Sequence, residues 1–241
     1  MSDADISEPA PKPAIVAAEM VEPWSMTHLP SHLRLWLVTI VGLAVDLWTK
    51  TWAFDSMKAD EPRVLVDKLL TLQLSLNPGA LFGIGAGFAP IFVGASVLAL
   101  LFVLYIFANS GASKWSMHIA LGLVLGGALG NLYDRSTQEA YVVHNHFGRD
   151  IGKLVRETPT HVYLEDFPHG GNERTIRKTD DFRSGPQPVV RDFIKIDARV
   201  GGVPLWPWIF NIADALLVVG VIVLLLNFWF DRKEPQSSAV A

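Results

Sequence analysis

The sequence predicts an all-α membrane protein of four transmembrane helices, with β-rich segments in its two long connections. Three observations carry this expectation. Half of the 241 residues are hydrophobic, and they are clumped rather than spread. Four of the clumps approach the roughly 20 apolar residues that a bilayer span requires. The few charged and amide residues within them gather near one end of the spans instead of along their length.

Residues 1–30 carry Asp3, Asp5, Glu8, Glu19 and Glu22 with prolines between them. A secretory signal needs a basic start and an apolar middle, so this stretch reads as a disordered tail. A membrane domain over 31–230 follows, then a tail over 231–241. The first span runs from Leu33 to Phe54 and would serve as an uncleaved targeting element. The second runs from Phe88 to Ala108, the third from Met117 to Leu132, and the fourth from Pro207 to Phe230. Spans two and three are joined by a short turn, which makes them antiparallel neighbours.

In the connection between spans one and two, Val64 to Val66 and Leu70 to Leu76 read as strands. The second alternates leucine with polar residues, as a half-buried strand does. Asn77-Pro78-Gly79 breaks it. Between spans three and four lies a soluble insertion over 136–191. Within it His161 to Phe167 and Glu173 to Arg177 read as strands, with a turn over Pro168 to Asn172.

Composition excludes several classes of function. The net charge is −4 and no basic stripe is present, so nucleic acid is not an expected partner. There is no cysteine, which removes disulfides, thiolate metal sites and cysteine nucleophiles. Lysine and arginine fall on both sides of the spans, so charge counting leaves the orientation open.

The chemistry-bearing residues are the intramembrane polar ones. Asp46 and Lys50 stand four apart on one face of the first span. They either neutralise each other within the membrane, or Lys50 snorkels to the surface with Asp46 merely paired to it. Gly122, Gly126 and Gly130 form a stripe that lets a neighbouring helix approach closely. The stripe would bring Asn131, Asp134 and Arg135 near the other helices, where they could hold a peptide backbone or anchor the helix end.

Asn211 and Asp214 repeat the Asn-to-Asp spacing at the start of the fourth span, and Asp192 stands shortly before it. Such polarity in an apolar setting needs partners and is expected to be functional. Two carboxylates brought together can divide their roles, one ionised and one protonated, which suits activating water against an amide. The catalytic pair expected here is Asp192 and Asp214.

Other motifs carry less. His144 and His146 would share a strand face, but no third ligand stands at a persuasive spacing, so no metal is expected. Ser136 lacks a nucleophile-elbow context. The glycines from Gly83 to Gly87 lack the strand-turn-helix setting of a dinucleotide site. A transporter or proton channel also uses intramembrane Asp and Asn and remains the rival reading. A presenilin-like protease would need a Gly-x-Gly-Asp motif, which is missing.

Taken together, these residues resemble the lipoprotein signal peptidase (signal peptidase II) family. Asp46-Leu47-Trp48-Thr49-Lys50 is similar to the family's Asp-x-x-(Thr/Ser)-Lys. Asn77-Pro78-Gly79-Ala80-Leu81-Phe82 is similar to Asn-x-Gly-Ala-x-Phe. Gly126 to Arg135 resembles Gly-Gly-x-x-Gly-Asn-x-x-Asp-Arg. Val190 to Ile194 and Phe210-Asn211-Ile212-Ala213-Asp214 resemble the two catalytic motifs. In one place the chain departs from the pattern. The insertion sets Asp192 far beyond Arg135, and His144 stands at about the family's spacing. Asp192 is taken on its local context and on its place shortly before the fourth span.

The resemblance implies an aspartyl endopeptidase of the bacterial inner membrane that cuts prolipoproteins just before a diacylglyceryl-modified cysteine. Both termini would be cytoplasmic, with the catalytic pair near the outer face and a β-rich extracytoplasmic cradle gripping the substrate. Asp46, Lys50, Asn77, Gly79, Asn131, Asp134, Arg135, Asn211 and Ala213 would support the site or bind substrate. Membrane lipid and lipidated prolipoproteins would be the partners, with no cofactor. A partner for the insertion is not readable.

Overall fold

A computed structural model describes residues 22–79, 89–145, 148–167, 169–179 and 182–231. Four helices form a bundle: α1 (Leu29–Ser56), α2 (Ala89–Ala108), α3 (Trp115–Thr137) and α4 (Ile212–Asp231). Among the described residues, α1, α3 and α4 are long and apolar enough to cross a membrane. The expectation of an all-α protein is corrected, however. Eleven strands in three sheets stand beside the helices among the described residues, so the fold is mixed α/β.

The helix limits follow local chemistry. α1 starts earlier than expected because Pro30 sits in its first turn, where a missing N–H goes unused. α3 continues past Leu132 and so carries Asp134 and Arg135 on the helix itself. α4 starts later, because Ile209 and Phe210 first pair as a strand. Of the expected tail, residues 22–28 pack against the turn between α2 and α3. The Ser25 N–H donates to the Ser110 carbonyl at 3.0 Å, and Ser25 Oγ lies 2.8 Å from His118 Nε2. Residues 1–21 and 232–241 lie outside the described residues, as do His146, Pro168 and the glycines from Gly83 to Gly87.

Leu35, Phe107, Leu121, Leu125 and Leu224 form the bundle core. The glycine stripe of α3 lies on α1. A Cβ at Gly122 would meet the Leu35 carbonyl at 2.8 Å, and one at Gly126 would meet the Thr39 carbonyl at 3.0 Å. Gly127 faces α4 instead, against Ala213 and Leu217. Backbones this close leave no room for a side chain. Gly126→Val is therefore expected to destabilise the bundle by about 1–3 kcal/mol through overpacking. A lower midpoint of thermal unfolding in detergent would register it, and an unchanged midpoint would refute it.

The first sheet has the order β1–β2–β8–β11, from β1 (Arg63–Val66), β2 (Leu70–Asn77), β8 (Val190–Ile196) and β11 (Ile209–Phe210). β8 follows the insertion in sequence yet pairs antiparallel with β2, placing Ser75 opposite Asp192 and Leu76 opposite Arg191. Leu72, Leu74 and Phe193 from these strands pack on Ala53, Phe54 and Met57 at the end of α1. The alternation read in Leu70 to Leu76 thus marks a true buried face. β9 (Arg199–Val200) and β10 (Val203–Pro204) form a separate hairpin.

The insertion folds as a five-stranded sheet of order β6–β5–β4–β3–β7. Its strands are β3 (Glu139–Asn145), β4 (Gly148–Glu157), β5 (His161–Glu165), β6 (Arg174–Arg177) and β7 (Arg183–Pro188). Val143, Val162, Leu164 and Ile176 give it its own small core. Only β5 and β6 were expected. β4 shows no clean alternation, and β7 contains Pro186 and Pro188. As an edge strand, β7 tolerates the missing N–H groups. The sheet begins and ends at one point, where the Val189 N–H donates to the Gln138 carbonyl at 3.1 Å.

Candidate active site

The polar residues of α1, α3 and α4 converge with β8 at one end of the bundle. At the centre lies Asn211, which is fully buried. Its Nδ2 donates to Asp192 Oδ1 at 2.7 Å and to Asn131 Oδ1 at 3.2 Å. Its Oδ1 accepts the Asp214 N–H at 3.0 Å, while Asp214 Oδ2 accepts the Asn211 N–H at 3.2 Å. This reciprocal pair caps the start of α4 and fixes both aspartates to one residue. Asn131 Nδ2 completes the link, donating to Asp214 Oδ1 at 2.8 Å.

Asp192 is 2 % exposed. Asn77 Nδ2 donates to its second oxygen at 3.2 Å. Burial holds the Asp192 carboxyl well above the ordinary carboxylate range, and the nearby charge of Asp214 adds to the effect. The two amide donors and Lys50 oppose it.

Around this centre lies a layer of buried charge. Lys50 Nζ is 2.8 Å from Asp46 Oδ2, 3.4 Å from Asp134 Oδ2, and donates to Asn131 Oδ1 at 3.1 Å. The side chains of Lys50, Asp46 and Asp134 are wholly buried, so Lys50 pairs inward and does not snorkel. The other Asp46 oxygen accepts the Ala213 N–H at 2.8 Å, tying α1 to the first turn of α4. Arg135 donates to the Gly79 carbonyl, and the Gly79 N–H donates to Asn77 Oδ1 at 2.9 Å. Arg135 therefore holds the turn that carries Asn77.

Sequence reasoning missed one residue. Arg191 grips Asp134 three times, through its backbone N–H at 3.0 Å, Nε at 3.2 Å and Nη2 at 2.7 Å. The sequence offered Asp134 a peptide backbone or a helix-end anchor, and named no side chain as its partner. The available signal was period two: beside Asp192 in a strand, Arg191 must face the opposite way and, if buried, needs a carboxylate. His144 is not brought to this cluster. It sits in β3 between Arg149 and Arg183.

A cleft of about 230 Å³ opens beside Asn77 and Asp214, with almost wholly apolar walls from Ile196, Phe210, Val218 and Val219. A buried carboxylate and a half-buried one at one end of an apolar helical bundle, next to such a cleft, are the equipment of a membrane hydrolase of the aspartic type.

The chain belongs to the signal peptidase II family, whose sequence model matches residues 38–230. It is similar to the lipoprotein signal peptidase of Desulfitobacterium hafniense strain DCB-2, with 28 % identity over 206 residues, covering 85 % of this chain and 99 % of that one. It also resembles the lipoprotein signal peptidase of Rhodopirellula baltica, with 29 % identity over 207 residues, 84 % of this chain and 74 % of that one. Among solved structures it matches a bacterial membrane enzyme determined in meso at 2.3 Å resolution. The TM-score there is 0.60 at 21 % identity, covering 92 % of this chain and 99 % of the other, which supports the fold alone. The protein is thus an aspartic peptidase of the membrane that removes signal peptides from prolipoproteins.

Proposed function

We propose that Asp192 and Asp214 are the catalytic pair, and that the bond cut is the one before a diacylglyceryl-modified cysteine. The observation that carries this is Asn211, whose single side chain holds both aspartates in place. The pair shares one proton. The ionised carboxylate takes a proton from water as the water attacks the scissile carbonyl. The protonated one polarises that carbonyl and then gives its proton to the leaving amine. The pair titrates as a unit, so the two roles belong to it jointly.

The remaining residues position this pair. Asp46, Lys50, Asn131 and Asp134 set the spacing of α1, α3 and α4. Arg135, Gly79 and Asn77 hold the end of β2 against Asp192, and Ala213 ties the first turn of α4 to Asp46. The apolar cleft beside Asp214 suits an acyl-bearing substrate. The enzyme would lie in the bacterial inner membrane as a multi-pass protein. Its termini would be cytoplasmic, its active site near the outer face, and its β1–β2–β8–β11 sheet would serve as the substrate cradle.

Purified enzyme is expected to cut a diacylglyceryl-modified preprotein just before the cysteine, and to leave the unmodified preprotein intact. Mass spectrometry of the products reads the position. Equal cleavage of both forms would overturn the lipid requirement. His144→Ala protein is expected to cut the same bond at a near wild-type rate, and a collapse in its rate would move the first catalytic position to His144.

A further inference from the structure

Resting on that reading, we propose that the insertion is a recognition module for the mature polypeptide that follows the scissile bond, which it holds in a cleft against β2. The cleft measures about 590 Å³, within the range of ligand sites. One wall is β2, through Leu74, Ser75 and Leu76. Ser75 is the cross-strand partner of Asp192, so the cleft begins about one strand spacing, roughly 4.8 Å, from that residue's backbone. The facing wall belongs to the insertion, through Arg149, Asp150, Ile151 and Arg174.

The insertion wall is fixed in place. Arg174 pairs with Asp150 at 3.4 Å and with Asp166 at 3.3 Å, and donates to the Ile151 carbonyl at 2.8 Å. The segment between β5 and β6 reaches back to the end of α1. His169 Nε2 lies 2.5 Å from the Phe54 carbonyl oxygen, Phe167 meets the Phe54 ring edge-on at 6.3 Å, and Asn172 Nδ2 donates to Asp60 at 3.3 Å. These contacts set the insertion over the site end of the bundle.

The lining decides what the cleft takes. Carboxylates and guanidinium groups of both signs stand beside leucine and phenylalanine. An acyl chain placed there would desolvate the charges without compensation. An extended polar polypeptide leaves the Arg174 pairs intact and offers its own hydrogen-bonding groups beside them, with Leu76 and Phe167 for its apolar atoms. The two clefts therefore match the two parts of one lipopeptide: the apolar cleft beside Asp214 for its lipid end, and the mixed cleft beside Ser75 for its mature chain.

The test uses full-length enzyme in lipid nanodiscs and two lipidated substrates with the same signal peptide. One ends about two residues after the cysteine, and the other continues for about ten, which at roughly 3.4 Å per extended residue spans the cleft. Arg149→Glu and Ile151→Trp are each expected to raise KM for the long substrate about tenfold with kcat little changed, and to leave the short substrate unaffected. Equal effects on both substrates, or no effect on either, would overturn the proposal. A photo-crosslinking residue about four positions after the cysteine, presented to Asp214→Asn enzyme, is expected to be captured within 149–151 or 166–174. Capture only by residues 199–204 would also overturn it. Wild-type enzyme that fails to cut even the short substrate would instead count against the catalytic reading, so the two failures are distinct.

Discussion

Asp192→Asn or Asp214→Asn is expected to lower kcat by about four to six orders of magnitude while the protein still folds. Each change keeps the shape of the side chain and removes a group proposed to carry or accept the shared proton. Because the pair acts as a unit, the double variant should fare little worse than either single one. Single-turnover cleavage of a lipidated preprotein reads the loss. Residual activity within about a hundredfold of wild type would remove that residue from the mechanism.

The same pair is expected to set the pH dependence of cleavage. Activity is expected to be bell-shaped, with the alkaline limb above the ordinary carboxylate range because burial raises Asp192. Stability follows with a definite sign. The folded protein binds the Asp192 proton more tightly than the unfolded chain does. Asp192 therefore adds stability as pH falls from above its folded pKa towards the ordinary carboxylate value, and adds nothing further below that. Asp192→Asn protein should lack this rise. Parallel pH profiles of thermal unfolding would contradict the argument.

The second large effect is expected at Asp134. Asp134→Ala leaves Lys50 and Arg191 facing each other across a buried space without their carboxylate. Removing one partner of a buried ion pair costs about 3–5 kcal/mol, because the stranded charge stays desolvated. Here two cations lose the same partner. The effect on catalysis is indirect: Arg191 precedes Asp192 in β8, so loosening it shifts the aspartate against Asn211. The expected result is a large drop in thermal stability and a lower kcat in whatever protein remains folded. A midpoint within the error of wild type would show that Asp46 alone balances these charges.

Some of this site was legible in the sequence because its spacing is local. Asp46 with Lys50, Asn131 with Asp134 and Asn211 with Asp214 each lie within one helical turn, and an amide or charge in an apolar helix announces that it has a partner. The partners' identities were less legible. Asp134 has Arg135 as its sequence neighbour, yet Arg191 reaches it from a strand after the insertion. No local pattern encodes that pairing. The same reason hid most of the sheet structure. Leu70 to Leu76 was readable because one face is buried, whereas β4 and β7 take their place from neighbouring strands far away in sequence. Spans were found by hydropathy, but their limits moved wherever a proline start or a strand pairing intervened, as at Pro30 and Ile209.

The hydrogen bond from Val189 to Gln138 gives the insertion a narrow waist. Everything from Glu139 to Pro188 leaves and rejoins the catalytic body through two adjacent antiparallel strands. A genetic event that lengthened, shortened or deleted this segment would need to close only one short gap between the end of α3 and the start of β8. Asp134 and Arg191 would remain face to face across that gap. The waist thus confines the insertion's covalent attachment to a single point, so the segment can be exchanged without re-laying the chain through the polar cluster.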